Sequence, residues 1–406
     1  MNIAILCGRD IRRTEDTDGG SVLVRNLARE LLHVGHAVEI FVPGNTIGGS
    51  AHERTYEDET EDEFTIKRFP VDLAGLDLES GGEDPHVYFL NRIAISEREA
   101  EYFSDGSLLK YDRVYIIHIA HAFGLMHRGL VPADRTVIFP MMLGSFYGAF
   151  ESVPAAYTQM ERRTLTEARH IATVSDAEQA VLTDVYGVPP TCIYKVGRGY
   201  DADAFKCRER SAFPSGRINL LCANVIKPQK DQRFFLDLVE AARQSGLDLH
   251  VHLVGVKGKT HRANYNQYAA DLQAEVVRRN MEEYISFVDV LPQEELSELM
   301  MRSTVALYPS RTETFGKSAL ESMATGLPTI VFDDVPAFGE FITDGYSGLV
   351  IPRSAHAAIE ALQALRDDQN LYQTLSANGV AVGRTFTWPH VIKDMVESEE
   401  TRMRSS

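Results

Sequence analysis

Two glutamates flank a glycine at the start of a predicted helix, within the segment 309–328. Glu313 precedes Gly316, and Glu321 follows it. A helix start offers unpaired backbone N–H groups and partial positive charge, and a glycine there lets a phosphate approach closely. Carboxylates accept hydrogen bonds from hydroxyls, and Glu321 lies about 7 Å beyond Gly316 at ~1.5 Å per residue. The pattern therefore suits a nucleotide sugar, which carries phosphates between two sets of hydroxyls; the alternative is a pair of solvated glutamates.

Strands and helices that alternate along the chain must position these residues. The pattern predicts a buried strand at 305–308, a loop at 309–315, a helix at 316–324 and a strand at 329–332. Near the start, a strand at 3–6, a helix opened by residues 18–20 and a strand at 38–42 predict a βαβ unit. Open α/β sheets bind ligands at the carboxyl ends of their strands. Gly19 and Gly20 are therefore candidates for ligand contact, although a tight turn explains them equally well.

Length and composition limit the class of protein. With 406 residues, 44% of them hydrophobic, the chain exceeds what one core usually supports, which predicts two α/β domains. The sequence contains no apolar run of roughly 18 residues and no charged leader before its first strand, so we expect a cytoplasmic protein without integral membrane association. The net charge of −17 disfavours nucleic acid as a partner, and the acidic run 53–63 is expected to be a solvated loop.

The four cysteines contain no CxxC pair, and two of them, Cys7 and Cys222, fall in predicted strands. We therefore expect neither disulfides nor structural zinc. Whether the chain forms a homodimer is left open by the sequence.

The segment 309–328 closely resembles the Glu-x7-Glu signature of retaining glycosyltransferase family 4. It has the Pro-Ser pair, the Glu-x-Phe-Gly element and the Leu-Glu-x-Met-Ala-x-Gly-x-Pro run of that family. The resemblance extends over nearly the whole chain and implies the α/β GT-B fold, in which two Rossmann-like domains face each other across a cleft. On that pattern 1–197 is an acceptor-binding domain and 198–385 a donor-binding domain for a nucleotide sugar. Residues 386–406 are expected to form a helix that crosses back to the first domain, and a tail.

The same resemblance implies roles for individual residues, with Glu313, Lys230 and His118 expected to be catalytic. Lys230 matches the lysine of the family loop Gly-Arg-x4-Lys-Gly, which holds the pyrophosphate. Asn224 stands at the glycine of that loop and Val225 at the arginine, so Lys227 is the candidate for the second positive charge; both lysines could also be surface charges. The full set of expected donor-binding residues is Gly20, Asn224, Lys227, Gly255, Thr314, Phe315, Gly316, Lys317 and Glu321.

Two histidines follow the predicted strand 114–117, where family members carry a His-x-His pattern near the reacting sugar. Here His118 and His121 have His-x-x-His spacing, so either imidazole could face the cleft, and we favour His118. A metal pair and ordinary packing are the alternatives for these histidines. Gly19, His121 and Arg198 are kept as acceptor-side or unassigned residues. Arg198 replaces an asparagine of the family pattern and either meets an anion or caps a turn.

The implied reaction is the transfer of a sugar, with retention, from a nucleoside diphosphate sugar to a hydroxyl of a soluble or saccharide acceptor. UDP is favoured as the nucleotide and GDP is not excluded. Lys230 and the helix start would stabilise charge on the departing diphosphate, so no metal and no cofactor are expected. The alternative is a degenerate GT-B protein that binds a nucleotide sugar as a sensor or scaffold, which the departures at Val225 and 336–337 favour.

Overall fold

The computed structural model describes residues 1–8, 19–44, 59–61, 64–77, 84–141, 143–256 and 263–404. The chain divides into two compact units. The first contains Met1–Gly197 and Trp388–Ser406, and the second is Arg198–Thr387.

The first unit is built on a sheet with strand order β3-β4-β2-β1-β5-β6-β7-β8, in which all neighbours are parallel except β3 and β4. Its strands are β1 (Asn2–Cys7), β2 (Ala37–Pro43), β3 (Glu59–Glu61), β4 (Phe64–Phe69), β5 (Arg113–Ile117), β6 (Thr136–Phe139), β7 (His170–Thr173) and β8 (Ile193–Lys195). Its helices are α1 (Gly19–His33), α2 (Pro85–Tyr102), α3 (Ile119–His127), α4 (Gly144–Tyr147), α5 (Ala155–Glu167) and α6 (Asp176–Asp184), with α13 (Trp388–Arg404) from the end of the chain.

The central strand β1 explains why this sheet is covered on both faces. Ile3 and Ile5 contribute to one hydrophobic core, whereas Ala4 and Leu6 contribute to the other, because successive side chains of a strand point to opposite faces. Helix α13 packs onto the first of these cores together with α1, and the single tryptophan, Trp388, is buried there. Trp388 is therefore a packing residue.

The second unit is a parallel sheet with strand order β11-β10-β9-β12-β13-β14. Its strands are β9 (Ile218–Ala223), β10 (Leu249–Val256), β11 (Ile285–Asp289), β12 (Val305–Tyr308), β13 (Thr329–Phe332) and β14 (Leu349–Ile351). Its helices are α7 (Phe234–Ser245), α8 (Ala263–Arg278), α9 (Gln293–Arg302), α10 (Lys317–Ala324), α11 (Ala355–Asp367) and α12 (Gln369–Gly383). In both sheets the strand order reverses beside the first strand, between β1 and β5 and between β9 and β12.

One local prediction is wrong. The acidic run 53–63 was expected to be a loop throughout, but Glu59–Glu61 form the edge strand β3, antiparallel to β4. A short edge strand is a common way to end a sheet. The remainder of this run lies outside the described residues. Across the described helices, none has the length and apolar content required to cross a bilayer.

Candidate active site

In the second unit, two loops meet where the strand order reverses. Strands β9 and β12 are neighbours, with Leu220 paired to Val305, so the loops that follow them emerge side by side, at the point where open α/β sheets bind ligands. Lys230 ends the first loop, and its Nζ lies 2.5 Å from Oε1 of Glu313 in the second. Ser310 Oγ donates to the same oxygen over 2.7 Å. The two residues expected to be catalytic in this unit therefore form an ion pair, with side chains 14% and 10% exposed.

Arginines that the sequence did not single out fix the two loops. Arg353 donates from Nη1 to the carbonyl of Pro309 over 2.7 Å and from Nη2 to that of Ser310 over 2.6 Å. Arg311 Nε donates to the Asp231 carboxylate over 2.6 Å, which ties the second loop to the first. Asp231 also has a left-handed backbone, with φ of 49°. These contacts fix the backbone around the Lys230–Glu313 pair. No local sequence motif indicates them.

The helix start beside this pair requires its glycine. Gly316 precedes α10 with φ of 95°, a conformation that side chains rarely adopt. A Cβ at this position would also lie 2.6 Å from Phe338 Cε1. Phe315 is buried against Phe341, and Thr314 is half-buried beside it. The first turn of α10 therefore begins with backbone N–H groups that lack helical partners, next to a residue that has no side chain of its own.

Glu321 lies one turn into α10 and is almost fully buried. The Lys317 ammonium forms an ion pair with Glu321 Oε1 but lacks hydrogen-bond geometry with it. Below it, the Tyr308 hydroxyl contacts Ser322 Oγ at 2.7 Å, and burial, opposed by that bond, raises the pKa of Tyr308 well above its usual value. The Glu321 carboxylate is therefore buried and ion-paired with Lys317 of the same helix.

The remaining predicted donor-binding residues of this unit lie at the ends of β9 and β10. Gly255 has φ of 119°, and a Cβ there would lie 2.4 Å from the Asn224 carbonyl oxygen, so glycine is required for the approach of the two loops. Lys227 Nζ lies 5.5 Å from the ring centroid of Tyr265. The carbonyl of Val225 accepts a bond from a glutamine of the same loop. Lys227 therefore has an aromatic neighbour, whereas Lys230 is paired with Glu313.

Cys222 lies beneath the ion pair, at the end of β9. Burial raises the pKa of its thiol, to which the Glu313 charge adds and which the Lys230 charge opposes. The thiol therefore stays protonated and acts as a small apolar side chain. Among the described residues, which include all four cysteines, none of the cysteines forms a disulfide.

In the first unit, the two histidines lie at the carboxyl end of β5, where this sheet reverses. His121 Nδ1 is 2.6 Å from Oε2 of Glu99, and both side chains are buried. Gly8, which follows β1, packs directly on the same ring, since a Cβ there would lie 1.5 Å from His121 Nε2. His118 is half-buried with φ of 88°, and its Nδ1 accepts from the Ala120 N–H over 3.1 Å. Of the two imidazoles, His118 is the more accessible, and His121 is held in the interior of the unit.

The other residues predicted for the site are less informative. Gly19 and Gly20 begin α1, and Gly20 is half-buried. Arg198 is buried at the first position of the second unit.

Family models match both halves of the chain. Residues 17–204 match the model "Glycosyltransferase Family 4", and residues 203–381 match the model "Glycosyl transferases group 1". A D-inositol 3-phosphate glycosyltransferase of Stackebrandtia nassauensis is 28% identical over 61% of this chain and 58% of that protein. One from Kribbella flavida is 24% identical over 92% of this chain and 88% of that protein. The match covers less than two thirds of the length of several such relatives, between 56% and 62% for three of them.

Solved structures share the fold. Sucrose-phosphate synthase from Thermosynechococcus elongatus superimposes with a TM-score of 0.77 at 17% identity, over 100% of both chains. Anabaena HepE, solved with UDP and glucose, gives a TM-score of 0.67 at 14% identity, over 99% of this chain and 100% of that one. The two family models together match nearly the whole chain, so the chain belongs to the family 4 glycosyltransferases. Because it superimposes on these GT-B structures over nearly its full length, it has the GT-B fold.

Proposed function

We propose that the protein transfers a sugar, with retention and without a metal, from a UDP-sugar to a hydroxyl of a small polyol or saccharide. The observation that carries this proposal is the Lys230–Glu313 ion pair beside the glycine-opened helix start at Gly316. A cation and a row of backbone N–H groups suit a diphosphate, and a neighbouring carboxylate suits sugar hydroxyls. These are the recognition elements that a nucleotide sugar needs, and they are joined at one edge of one sheet.

The ion pair itself suggests how the donor is held. A diphosphate that approaches the α10 start competes with Glu313 for the Lys230 ammonium, because both are anionic ligands of the same cation. Once Lys230 turns to the phosphate, Glu313 keeps the bond from Ser310 and can accept hydroxyl bonds from the sugar. Binding the donor therefore rearranges a pair that already exists instead of creating new charges in a nearly buried position.

Bond cleavage places negative charge on the departing UDP. Lys230 and the α10 start would stabilise that charge more strongly in the transition state than in the bound donor, which is the requirement for acceleration. Retention follows if the acceptor hydroxyl attacks from the side that UDP leaves. In that arrangement the departing phosphate oxygen takes the hydroxyl proton, so the reaction needs no dedicated protein base.

The relatives suggest the substrates to try first. HepE was solved with UDP and with UDP-glucose, which supports UDP-sugars as donors. Several curated relatives are named for D-inositol 3-phosphate, which makes this polyol phosphate the first acceptor to test.

The experiment begins with donor binding. The thermal stability of the purified protein is measured with UDP, GDP and ADP, each with EDTA and with Mg²⁺. A ligand at 100 times its Kd adds about 2.7 kcal/mol to stability, so UDP should raise Tm measurably. Because the proposed binding needs no metal, the rise in Tm should be the same with EDTA and with Mg²⁺. A Tm increase that requires Mg²⁺ would contradict metal independence. If no nucleotide changes Tm, the proposal of a donor site is refuted.

Turnover then separates an enzyme from a nucleotide-sugar sensor. UDP-glucose and UDP-N-acetylglucosamine are incubated with D-inositol 3-phosphate, and the anomeric configuration of the product is read by NMR. We expect an α product that Lys230→Ala forms about 10²–10³-fold more slowly and that the exposed control Lys206→Ala forms at the wild-type rate. A β product would refute retention. UDP binding without turnover on a broad acceptor panel would favour the sensor.

A further inference from the structure

A nearly buried arginine in the first unit has donors that the fold does not use. Arg92, on α2, is 8% exposed. Its Nε donates to the Tyr88 hydroxyl over 3.0 Å, and its guanidinium carbon lies 5.1 Å from the centroid of the Tyr88 ring. Among the described residues, Nη1 and Nη2 have no hydrogen-bond partner and no carboxylate within ion-pair distance. Both nitrogens keep some contact with solvent, because neither is among the fully buried side-chain atoms without a partner, so a ligand can reach them.

Two buried polar atoms near Arg92 lack partners among the described residues. The Tyr157 hydroxyl, on α5, has none, and neither does Oε1 of Glu99. Burial, with the Glu161 charge, raises the pKa of Tyr157 well above its usual value, while the Arg92 charge opposes the rise. Burial alone would lower the pKa of Arg92, but Tyr88, Tyr157 and Glu99 together raise it. The guanidinium therefore stays charged, with a neutral hydroxyl beside it.

The surroundings of this cation are aromatic. Phe89 and Tyr157 are buried with ring centroids 4.7 Å apart, and Tyr88, Phe123 and Tyr147 pack around them. Aromatic side chains with one charged donor are typical of small-molecule sites, since they shape the ligand's position while the charge fixes its orientation.

One face of α2 connects this arginine to the histidines. Tyr88, Arg92, Ser96 and Glu99 recur at helical spacing, and the last three are buried. Arg92 and Glu99 are separated by about 10 Å along the axis, at ~1.5 Å per residue. Glu99 holds His121, whose ring centroid is 5.6 Å from that of His118. A small acceptor held at Arg92 thus lies within a molecule's length of the carboxyl end of β5.

We propose that Arg92 binds an anionic group, a phosphate monoester or a carboxylate, on the acceptor. Two uncommitted Nη groups can hold two oxygens of such a group in parallel, and where the group is a phosphate the Tyr157 hydroxyl can donate to its third terminal oxygen. The acceptor class is then a polyol or sugar that carries one anionic group. The assignment of this ligand as the acceptor rests on the proposed function, whereas the anion site itself does not.

Direct binding tests the proposal. Calorimetry with the full chain, saturated with UDP, compares D-inositol 3-phosphate, glucuronate, neutral inositol and inorganic phosphate. We expect one anionic compound to bind at least about 10-fold more tightly than inositol, and whether it is the phosphate or the carboxylate identifies the group. Arg92→Met should weaken that binding by about 10- to 100-fold, as expected for charge-assisted hydrogen bonds.

A matched control lies on the same helix. Arg98→Met removes an equal charge, but Arg98 Nη1 is already bonded to the Asp72 carbonyl, so anion binding should not change. Arg92→Gln, which keeps a donor for Tyr88, replaces Arg92→Met if the latter does not fold. UDP affinity, which reports the donor site, should be the same in all of them.

Equal affinity of the wild-type protein for anionic compounds and inositol would overturn the proposal, and so would unchanged anion affinity in the Arg92 variant with UDP binding intact. Failure of the wild-type protein to bind UDP would instead refute the proposed function.

Discussion

Replacing Lys230 by methionine tests whether this cation acts on the donor or only neutralises Glu313. The ammonium lies 2.5 Å from the carboxylate, and the two side chains are 14% and 10% exposed. Breaking a buried pair costs about 3–5 kcal/mol. Since Ser310 still donates to Glu313 and some water reaches both groups, we expect Lys230→Met to lower the free energy of unfolding by about 1–3 kcal/mol. Loss of one group that stabilises developing charge should lower kcat by about 10²–10³-fold.

The double variant Lys230→Met/Glu313→Gln separates the two effects. It removes both charges, so part of the lost stability should return, as is common when a whole buried pair becomes neutral. Turnover should not return, because the charge on the leaving diphosphate remains unopposed. Stability is measured by urea unfolding and kcat by UDP release, with Lys206→Met as a surface control. Recovery of kcat in the double variant would refute the reasoning and show that Lys230 serves only to balance Glu313.

Three further predictions follow from the backbone and from one buried acid. Gly316→Ala should lower the free energy of unfolding by about 1–3 kcal/mol, because alanine is strained at a positive φ, and it should weaken UDP binding. Gly339→Ala, where an added Cβ meets no other atom, should have neither effect. Equal decreases of Tm in the two variants would contradict this prediction. Gly8→Ala should displace the His121 ring and lower kcat while UDP affinity stays unchanged, and wild-type kcat would exclude a role for that packing. Burial, opposed by its hydrogen bonds, raises the pKa of Glu161 to about 7, so the folded state binds its proton more tightly than the unfolded state. Stability should therefore fall by about 3 kcal/mol between pH 4.5 and 7, and unfolding of Glu161→Gln should lack this component; an identical pH profile would refute the assignment.

Much of the fold was predictable because buried parallel strands are continuous apolar runs. The strands predicted at 305–308 and 329–332 coincide with β12 and β13. The helix start at Gly316 was also predictable, since a glycine after a loop and before a 3.6-residue pattern is a strong local signal.

Contacts between distant segments were not predictable from one sequence. The sequence marked Lys230 and Glu313 separately, but their pairing depends on β9 and β12 being neighbours. Arg353 reaches the loop at Pro309 from beyond β14, and Gly8 fixes His121 from the other side of the sheet reversal. Arg92 carried no signal at all, because an arginine on an amphipathic helix is ordinarily solvated.

The adjacency of β9 and β12 also has a consequence for the order in which the chain folds. Lys230 and Glu313 are 83 positions apart. The elements from α7 through α9 lie between them and belong to the half of the sheet that is built first, and β12 follows as the first strand of the other half. Contacts of such long sequence separation form late, since loop closure must precede them. On the ribosome, a nascent chain that has emerged only as far as β11 would carry one loop of the proposed donor site without its partner. If the proposed function holds, nucleotide affinity would then appear abruptly, once β12 pairs with β9.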